Sequence, residues 1–409
     1  MGVMLPTLSL SSSQDMRLSV MGIHNYDLRL RMALNLLDKI DLLPVNKQYL
    51  LEFIDFLRAS GLSKARIERY IYTLKDLALI HAKDFKKLCK KDVVRLISVV
   101  ESRDYTVHTK NIYKIMLKRF VTWLFDASEP PSVVAWLKKE GKRSKVLPDE
   151  LLTQGEVKSL IESCLNYRDK ALIATMYESG CRVGEIGNLL LKHVSFDEYG
   201  AVLMVDGKTG QRRVRLINSV PYLAEWLNHH PLRNEPVSPL WVALPPNKPS
   251  LIAYQTIRRL LKKAANRSNI KKRVNPHSFR HARATQLASH LTEAQMKEYL
   301  GWVQDSSMAS TYIHLSGRDV DKALLKMNGM SFKDEETIGE LDLINCSRCG
   351  FNNAPTNKYC GKCGLTLDLK EAMLMEQKMK EKDQLLNVLV NDPDVKRILI
   401  EKAKVMMHG

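Results

Sequence analysis

Two adjacent prolines, Pro130-Pro131, break a long helical pattern, after which a basic connector and a new domain follow. A proline inside a helix removes one hydrogen bond and clashes with the turn before it, and the residue ahead of it is pushed out of helical geometry. Before the break, Tyr49, Leu50, Phe53, Phe56 and Leu57 recur at three- and four-residue steps, the period of a helix with one buried face. Gly61-Leu62-Ser63 then stops one helix and caps the next, which carries Ile67, Ile71, Leu74 and Leu77. A later helix presents Ile112, Ile115, Met116, Phe120, Trp123 and Leu124 on one side and Lys110, Lys114, Lys118 and Arg119 on the other. That basic side reads either as a solvated face or as a surface for an anionic partner. Residues 26–130 are therefore expected to form a helical domain, preceded by a loose Ser- and Met-rich tail over 1–25.

After the break, residues 131–149 form a basic linker, and a second domain is expected over 150–332. It opens on a capping box, Thr153 with Glu156 three residues later. Its pattern mixes helices with one clear hairpin. An acidic linker (333–345), a cysteine module (346–366) and a helical tail (367–409) complete the expected order. The class is thus mainly α with a small β-sheet in the second domain.

Charge narrows the partners. Lys and Arg number 63 against 45 Asp and Glu, a formal +18. An excess of that size suits a polyanion, because cationic surfaces displace the counterions condensed on nucleic acid. No uncharged stretch approaches the roughly 20 residues that span a bilayer, and residues 1–25 lack the basic-then-apolar order of a signal peptide. A cytoplasmic, nucleoid-associated protein with no membrane contact is the expectation. Of the seven cysteines, Cys89, Cys164 and Cys181 are scattered and are expected to serve as small buried hydrophobes.

The second domain carries chemistry at four points. In Tyr177-Glu178-Ser179-Gly180-Cys181-Arg182-Val183-Gly184-Glu185, Gly180 should end a buried helix, Arg182 should start the next, and Glu185 can hold an arginine in place. In the hairpin from Gly200 to Leu216, Gly207 and Gly210 bracket a tip that carries Lys208. The Gly-Lys-Thr triplet there is no P-loop, since Val202 stands where the first glycine is required and no helix follows. In Asn275-Pro276-His277-Ser278-Phe279-Arg280-His281, Asn275 is an N-cap and Pro276 the first helical residue, so His277 and Arg280 share a face at a positive helix end. Finally, Thr292 and Gln295 cap a helix that Gly301 ends, Trp302 follows with one indole N–H to donate, and Tyr312 lies a little further on. Singly, each is as compatible with an ion pair, a structural histidine or a core aromatic as with catalysis. Together they supply what metal-free phosphoryl transfer needs: a nucleophile, guanidinium forks for the growing charge, and a proton donor for the leaving oxygen.

In type, order and separation, Arg182, Lys208, His277, Arg280, Trp302 and Tyr312 resemble the signature of the tyrosine recombinase (phage integrase) family, which includes the Xer and Cre recombinases. Glu185 matches an acidic residue common after the first arginine. Trp302 departs from the histidine of many members and agrees with the Cre-like ones. The likeness covers about residues 150–330, and more loosely 45–126, which is similar to the helical, SAM-like core-binding domain that precedes the catalytic domain in this family. It implies that Tyr312 attacks the scissile phosphate to form a 3′-phosphotyrosyl link and release a 5′-hydroxyl. By the same likeness Arg182 and Arg280 clamp the phosphate, Lys208 acts as general acid, and His277 and Trp302 support. It further implies double-stranded DNA as partner, a homotetramer on two duplexes, a basic two-domain clamp, and exchange of a C-terminal element for which residues 317–327 are the candidate. No nucleotide cofactor or catalytic metal is needed, because the covalent link conserves the phosphodiester energy. The close spacing of Arg280 and Tyr312 suggests that each protomer uses its own tyrosine. A DNA-relaxing enzyme of the type IB topoisomerase kind shares this chemistry, and a zinc-bearing DNA-binding regulator could share the domain without it.

Cys346, Cys349, Cys360 and Cys363 form a C-x2-C–x10–C-x2-C pattern in which each pair is followed by glycine. Four thiolates at this spacing read as a closed tetrahedral site for one structural Zn²⁺, and the module is too short for a core of its own. A redox or iron–sulfur role is the alternative. The module resembles zinc ribbons, an appendage typical of archaeal members. In the tail, Met373, Met375, Met379, Leu385, Leu386 and Leu389 are spaced near a heptad that Lys382 interrupts. Such a helix either packs on its own chain or serves assembly.

Overall fold

A computed structural model describes residues 22–139, 141, 150–313, 324–325, 327–329 and 341–397. The chain divides into two compact units, Met1–Val146 and Leu147–Gly409.

The first unit is helical: α1 (Tyr26–Lys39), α2 (Pro44–Ala59), α3 (Lys64–His81), α4 (Lys90–Ser102), α5 (Val107–Leu124) and the short α6 (Ser132–Ala135). Pro44 sits at the start of α2, where its missing N–H is not needed. Phe53 of α2 is fully buried and meets Tyr70 and Phe120 edge to face, at centroid distances of 5.6 and 5.2 Å. Ser63 occupies the N-cap position of α3 without a side-chain hydrogen bond. Three expectations change here. Residues 131–139 are not a free linker, because Val134 of α6 and Leu137 just after it are buried in the core of this unit. The lysines of α5 are not an open basic face: Lys114 pairs with Glu101 at 2.9 Å, Lys110 donates to the Glu101 carbonyl at 2.7 Å, and Lys118 donates to the carbonyls of Ala135 and Leu137. Their long stems let them reach backbone and carboxylate groups on neighbouring elements instead of extending into solvent. Cys89 is exposed and caps α4, its backbone N–H and its thiol both donating to Asp92.

The second unit contains α7 (Gln154–Glu162), α8 (Tyr167–Ser179), α9 (Val183–Gly187), β1 (Val194–Asp197), β2 (Gly200–Gly207), β3 (Gly210–Leu216), α10 (Val220–Asn228), α11 (Tyr254–Arg267), α12 (Pro276–Leu287), α13 (Glu293–Leu300) and α14 (Met308–Ile313). The strands form an antiparallel sheet in the order β1-β2-β3, and Gly207 pairs with Gly210 so that Lys208-Thr209 is a two-residue turn. Helix α8 is the axis of the unit: its residues 171–179 are all buried. Glu178, near its end, accepts hydrogen bonds from the backbone N–H groups of Ile217, Asn218 and Ser219 and from the Ser219 hydroxyl. A carboxylate so satisfied is a stable rivet between α8 and the start of α10.

The cysteine module packs on this same unit. Its strands β4 (Ile344–Asn345) and β5 (Asn352–Asn353) pair antiparallel. Asn218 donates to Asp342 at 3.2 Å, the Tyr222 and Thr356 hydroxyls are hydrogen-bonded at 2.9 Å, and Leu341 is buried. Residues 341–345 thus belong to the module and not to an acidic linker, whose remainder lies outside the described residues. Helix α15 (Leu369–Asn391) follows, tied at its start by Lys358 to Glu371 at 3.0 Å. Its apolar side chains are left uncovered by the described residues: Met379 is 66% exposed and Val388 69%. Most of the 317–327 candidate for exchange and the end of the tail lie outside the described residues.

Candidate active site

Three consecutive carbonyl groups at the end of α13 gather the arginines of the second unit. Gly301 adopts the left-handed conformation (φ 63°) that stops the helix, and the carbonyls of Tyr299, Leu300 and Gly301 are left without helical partners. Arg212 Nε donates to the Tyr299 carbonyl at 2.9 Å, Arg280 Nη2 to that of Leu300 at 2.8 Å, and Arg182 Nη1 to that of Gly301 at 2.9 Å. A helix C-terminus carries partial negative charge, so three cations are well placed there.

The cluster is held from the other side by Glu185. Arg182 starts α9, and Glu185 one turn on accepts from the Arg182 backbone N–H at 2.8 Å and from its Nη1 at 3.0 Å. The same carboxylate takes a bidentate pair from Arg212 at 3.2 and 2.8 Å. Burial pushes the Glu185 carboxyl up, but the hydrogen bonds and charges of Arg212 and Arg182 outweigh it and hold it below the ordinary 4.5. Gly207 and Gly301 must both be glycine for this geometry: a Cβ on Gly207 would lie 2.4 Å from Glu185 Oε1, and one on Gly301 2.5 Å from Arg212 Nη1.

Arg280 lies in the first turns of α12, whose start is fixed by Asn275 accepting from the backbone N–H groups of His277 and Ser278. Arg280 is 7% exposed, and among the described residues its guanidinium bonds to carbonyls, that of Gly180 at 2.9 Å besides Leu300. No carboxylate pairs with it among the described residues. Burial and the neighbouring Arg182 charge push its pKa down to about 10, so it remains protonated at neutral pH. A buried cation whose partners are neutral leaves a site that favours an anion.

Tyr312, on α14, lies 5% exposed in the same cluster as Trp302. Trp302 packs against Tyr312 and Arg280 alike: its ring stacks on that of Tyr312 at 5.7 Å, and Arg280 lies 5.4 Å from its centroid. Tyr312 Oη is hydrogen-bonded to His281 Nδ1. Burial pushes the Tyr312 pKa above 10, against the nearby charge of Arg280. His277 sits exposed at the start of α12; atoms packed around its ring and the charges of Arg280, Arg273 and Arg182 push its pKa below 6.5.

The structure thus brings Arg182, Arg280, Trp302 and Tyr312 into one pocket, with His277 at the same helix start. Lys208 is at the exposed tip of the β2–β3 turn, with no hydrogen-bond or ion-pair partner among the described residues. Two members were missed in the sequence. Arg212 is one of three arginines in Arg212-Arg213-Val214-Arg215 and only its inward register on β3 distinguishes it. His281 stands beside Arg280, but nothing in its spacing announces a partner 31 residues away.

In the cysteine module, the Sγ atoms of Cys346, Cys349, Cys360 and Cys363 all lie within 4.8 Å of one another, with 3.6 Å between Cys346 and Cys363 and between Cys349 and Cys360. A tetrahedron with metal–sulfur bonds of about 2.3 Å has edges of about 3.8 Å, so the donor set fits a metal ion. Gly350 (φ 67°) and Gly364 (φ 73°) donate N–H groups back to the Cys346 and Cys360 carbonyls, closing each turn.

Residues 150–318 match the model of the phage integrase family. Over 286 residues the chain is 25% identical to "Tyrosine recombinase XerA" of Pyrococcus furiosus, covering 69% of this chain and 95% of that protein. It is 27% identical over 301 residues to "Tyrosine recombinase XerD" of Ralstonia nicotianae, covering 68% and 93%. Among solved structures, the XerH site-specific recombinase bound to its difH substrate after cleavage aligns with TM-score 0.52 and 18% identity, covering 75% of this chain and 97% of that one. A lambda integrase dimer bound to a core site aligns with TM-score 0.53 and 14% identity, covering 66% and 77%. Likeness at that identity establishes a shared fold. The phage integrase family domain matched at residues 150–318 contains Arg182, Arg212, Arg280, Trp302 and Tyr312, and over about two thirds of its length the chain is similar to Xer tyrosine recombinases.

Proposed function

We propose that this protein is a site-specific DNA recombinase that cuts and rejoins strands through Tyr312. The observation that carries the reading is that a buried phenol, Tyr312, and a buried cation, Arg280, which has no carboxylate partner among the described residues, both pack on the Trp302 ring, with Arg182 bonded to the next carbonyl along. A phosphodiester placed there would have its non-bridging oxygens opposite the guanidinium groups, and the charge gained in the pentacoordinate transition state would meet fixed donors. Tyr312 Oη attacks phosphorus, the bond to the 5′ oxygen breaks, and Lys208, carried in on the hairpin tip, protonates that oxygen. His277 and Trp302 line the approach. Rejoining is the reverse, with the 5′-hydroxyl as nucleophile, so the phosphodiester energy is kept and no nucleotide is consumed. Because Tyr312 and Arg280 share one pocket in one chain, each protomer cuts with its own tyrosine. Double-stranded DNA is the partner, a homotetramer on two duplexes the working assembly, and the cytoplasm and nucleoid its place. Integration or excision of a mobile element and resolution of chromosome dimers both fit.

The cysteine module would hold one structural Zn²⁺ through Cys346, Cys349, Cys360 and Cys363. Bound there, the ion supplies folding free energy to a segment of low apolar content.

The test is incubation with nicked duplexes drawn from a randomised-sequence pool, followed by denaturation and sequencing of covalently held DNA. The expected result is an adduct that requires Tyr312, selects a sequence, and leads to strand exchange between two duplexes. Relaxation of supercoils without site preference would point to a topoisomerase, and DNA binding without any adduct to a regulator.

A further inference from the structure

We propose that His281 is the general base of the reaction, taking the Tyr312 phenolic proton as the phosphate is attacked. The proposal rests on the reading of Tyr312 as nucleophile and adds to it the residue that activates it.

A phenol is a poor nucleophile and its burial makes ionisation harder, so its proton needs an acceptor at the moment of attack. Among the described side chains near Tyr312, one is placed to accept. Trp302 lies flat against the ring and has only an N–H to give; Arg280 has only donors and stays charged. Glu185 is fully engaged by Arg182 and Arg212. His281 Nδ1 is hydrogen-bonded directly to Tyr312 Oη, the two rings 5.9 Å apart and tilted by 35°.

The helix explains why the geometry is reproducible. His281 is the residue after Arg280 and four after His277, so a single turn of α12 presents the phosphate clamp, a phosphate-side histidine and a tyrosine-side histidine. The charged and titratable groups facing His281 are His277 and Arg280 on its own helix and Tyr312 on α14, with Arg182 and Arg273 facing His277 beyond. Burial and those positive neighbours disfavour the imidazolium, which keeps the ring in the neutral form that can accept.

Protons and electrons balance. The Tyr312 O–H bond breaks toward His281 Nδ1, the freed oxygen pair forms the bond to phosphorus, and the phosphorus–O5′ pair leaves with a proton from Lys208. On rejoining, the phosphorus–tyrosine bond breaks and His281 returns its proton to the phenolate, while Lys208 recovers one from the 5′-hydroxyl.

The experiment measures single-turnover cleavage on the duplex most enriched from the nicked pool, for the full-length protein and for His281→Gln and His281→Ala. Gln keeps a polar group near Tyr312 but cannot take up a proton. Both variants are expected to bind DNA as the parent does and to cleave roughly a hundredfold more slowly, the usual scale of a general base. Added imidazole should restore part of the His281→Ala rate. The parent's cleavage should fall in acid below the ordinary histidine value of about 6.5, and that limb should vanish in His281→Gln. Cleavage by His281→Gln within a few-fold of the parent, or a parent profile flat from about pH 5 to 8, overturns the base while leaving the Tyr312-dependent adduct intact. Should the parent form no adduct with any duplex, the nucleophile and the base fall together.

Discussion

At the scale of single residues, the pocket depends on glycines as much as on its cations. Gly301 combines a left-handed backbone with contact against the Arg212 guanidinium, so Gly301→Ala meets both a conformational cost of about 1 kcal/mol and the displacement of a buried ion pair. Unfolding in denaturant should show a loss of at least about 2 kcal/mol, and cleavage should fall with it. Glu185 makes the same cluster acid-sensitive. Its folded pKa is lower than its unfolded one, so its stabilisation is fully present above the unfolded value near 4.5 and is lost as pH falls through the folded value. Thermal melting followed below about pH 4.5 should show a steeper decline than in Glu185→Gln, which has no carboxylate to protonate. Arg182, Arg280 and Tyr312 were legible as candidates through their likeness in type and order to the family signature, with Gly180 and Asn275 marking the helix ends beside the two arginines. Arg212 and His281 were not. Their roles come from partners that only the folded chain brings close: Glu185 across the sheet for the first, Tyr312 on a later helix for the second.

At the scale of elements, the β2–β3 hairpin separates two duties. Arg212, on its inward face, ties the sheet to Glu185 and α13, whereas Lys208 at the exposed tip has no hydrogen-bond or ion-pair partner among the described residues. Lys208→Ala should leave melting within about 0.5 kcal/mol of the parent and abolish most cleavage. A duplex whose bridging 5′ oxygen is replaced by sulfur, which leaves without a proton, should recover that rate, and failure to recover it would remove Lys208 from the role of acid. Elements were otherwise easier to read than their surfaces. The α5 helix follows from its apolar spacing, yet its lysines end on Glu101 and on the carbonyls of residues 135 and 137, because long flexible stems choose partners by proximity. For α15 the periodicity was readable, and its exposure was not, since a stripe of methionines and leucines carries no record of what covers it.

At the scale of the whole molecule, the cysteine module is part of the body that holds the pocket, joined to it through Asn218–Asp342 and Tyr222–Thr356 on the elements that Glu178 rivets to α8. Stripping metal with a chelator should release one zinc per chain, unfold residues 341–366 and expose Tyr222 and Asn218 to faster hydrogen exchange; retention of metal by a protein lacking all four cysteines would exclude the site. The arginine pocket has a consequence of its own. Two guanidinium groups, of Arg182 and Arg212, share the one carboxylate of Glu185 and a third, of Arg280, lies near them on carbonyl partners, so like charges that repel one another are kept together by the rest of the fold. Inorganic phosphate or sulfate, with no sequence for the protein to read, should therefore raise the melting temperature by mass action, and more so than chloride at equal ionic strength. The repulsion held in by the fold acts in this respect as a spring, which an anionic oxygen placed among the cations would relax.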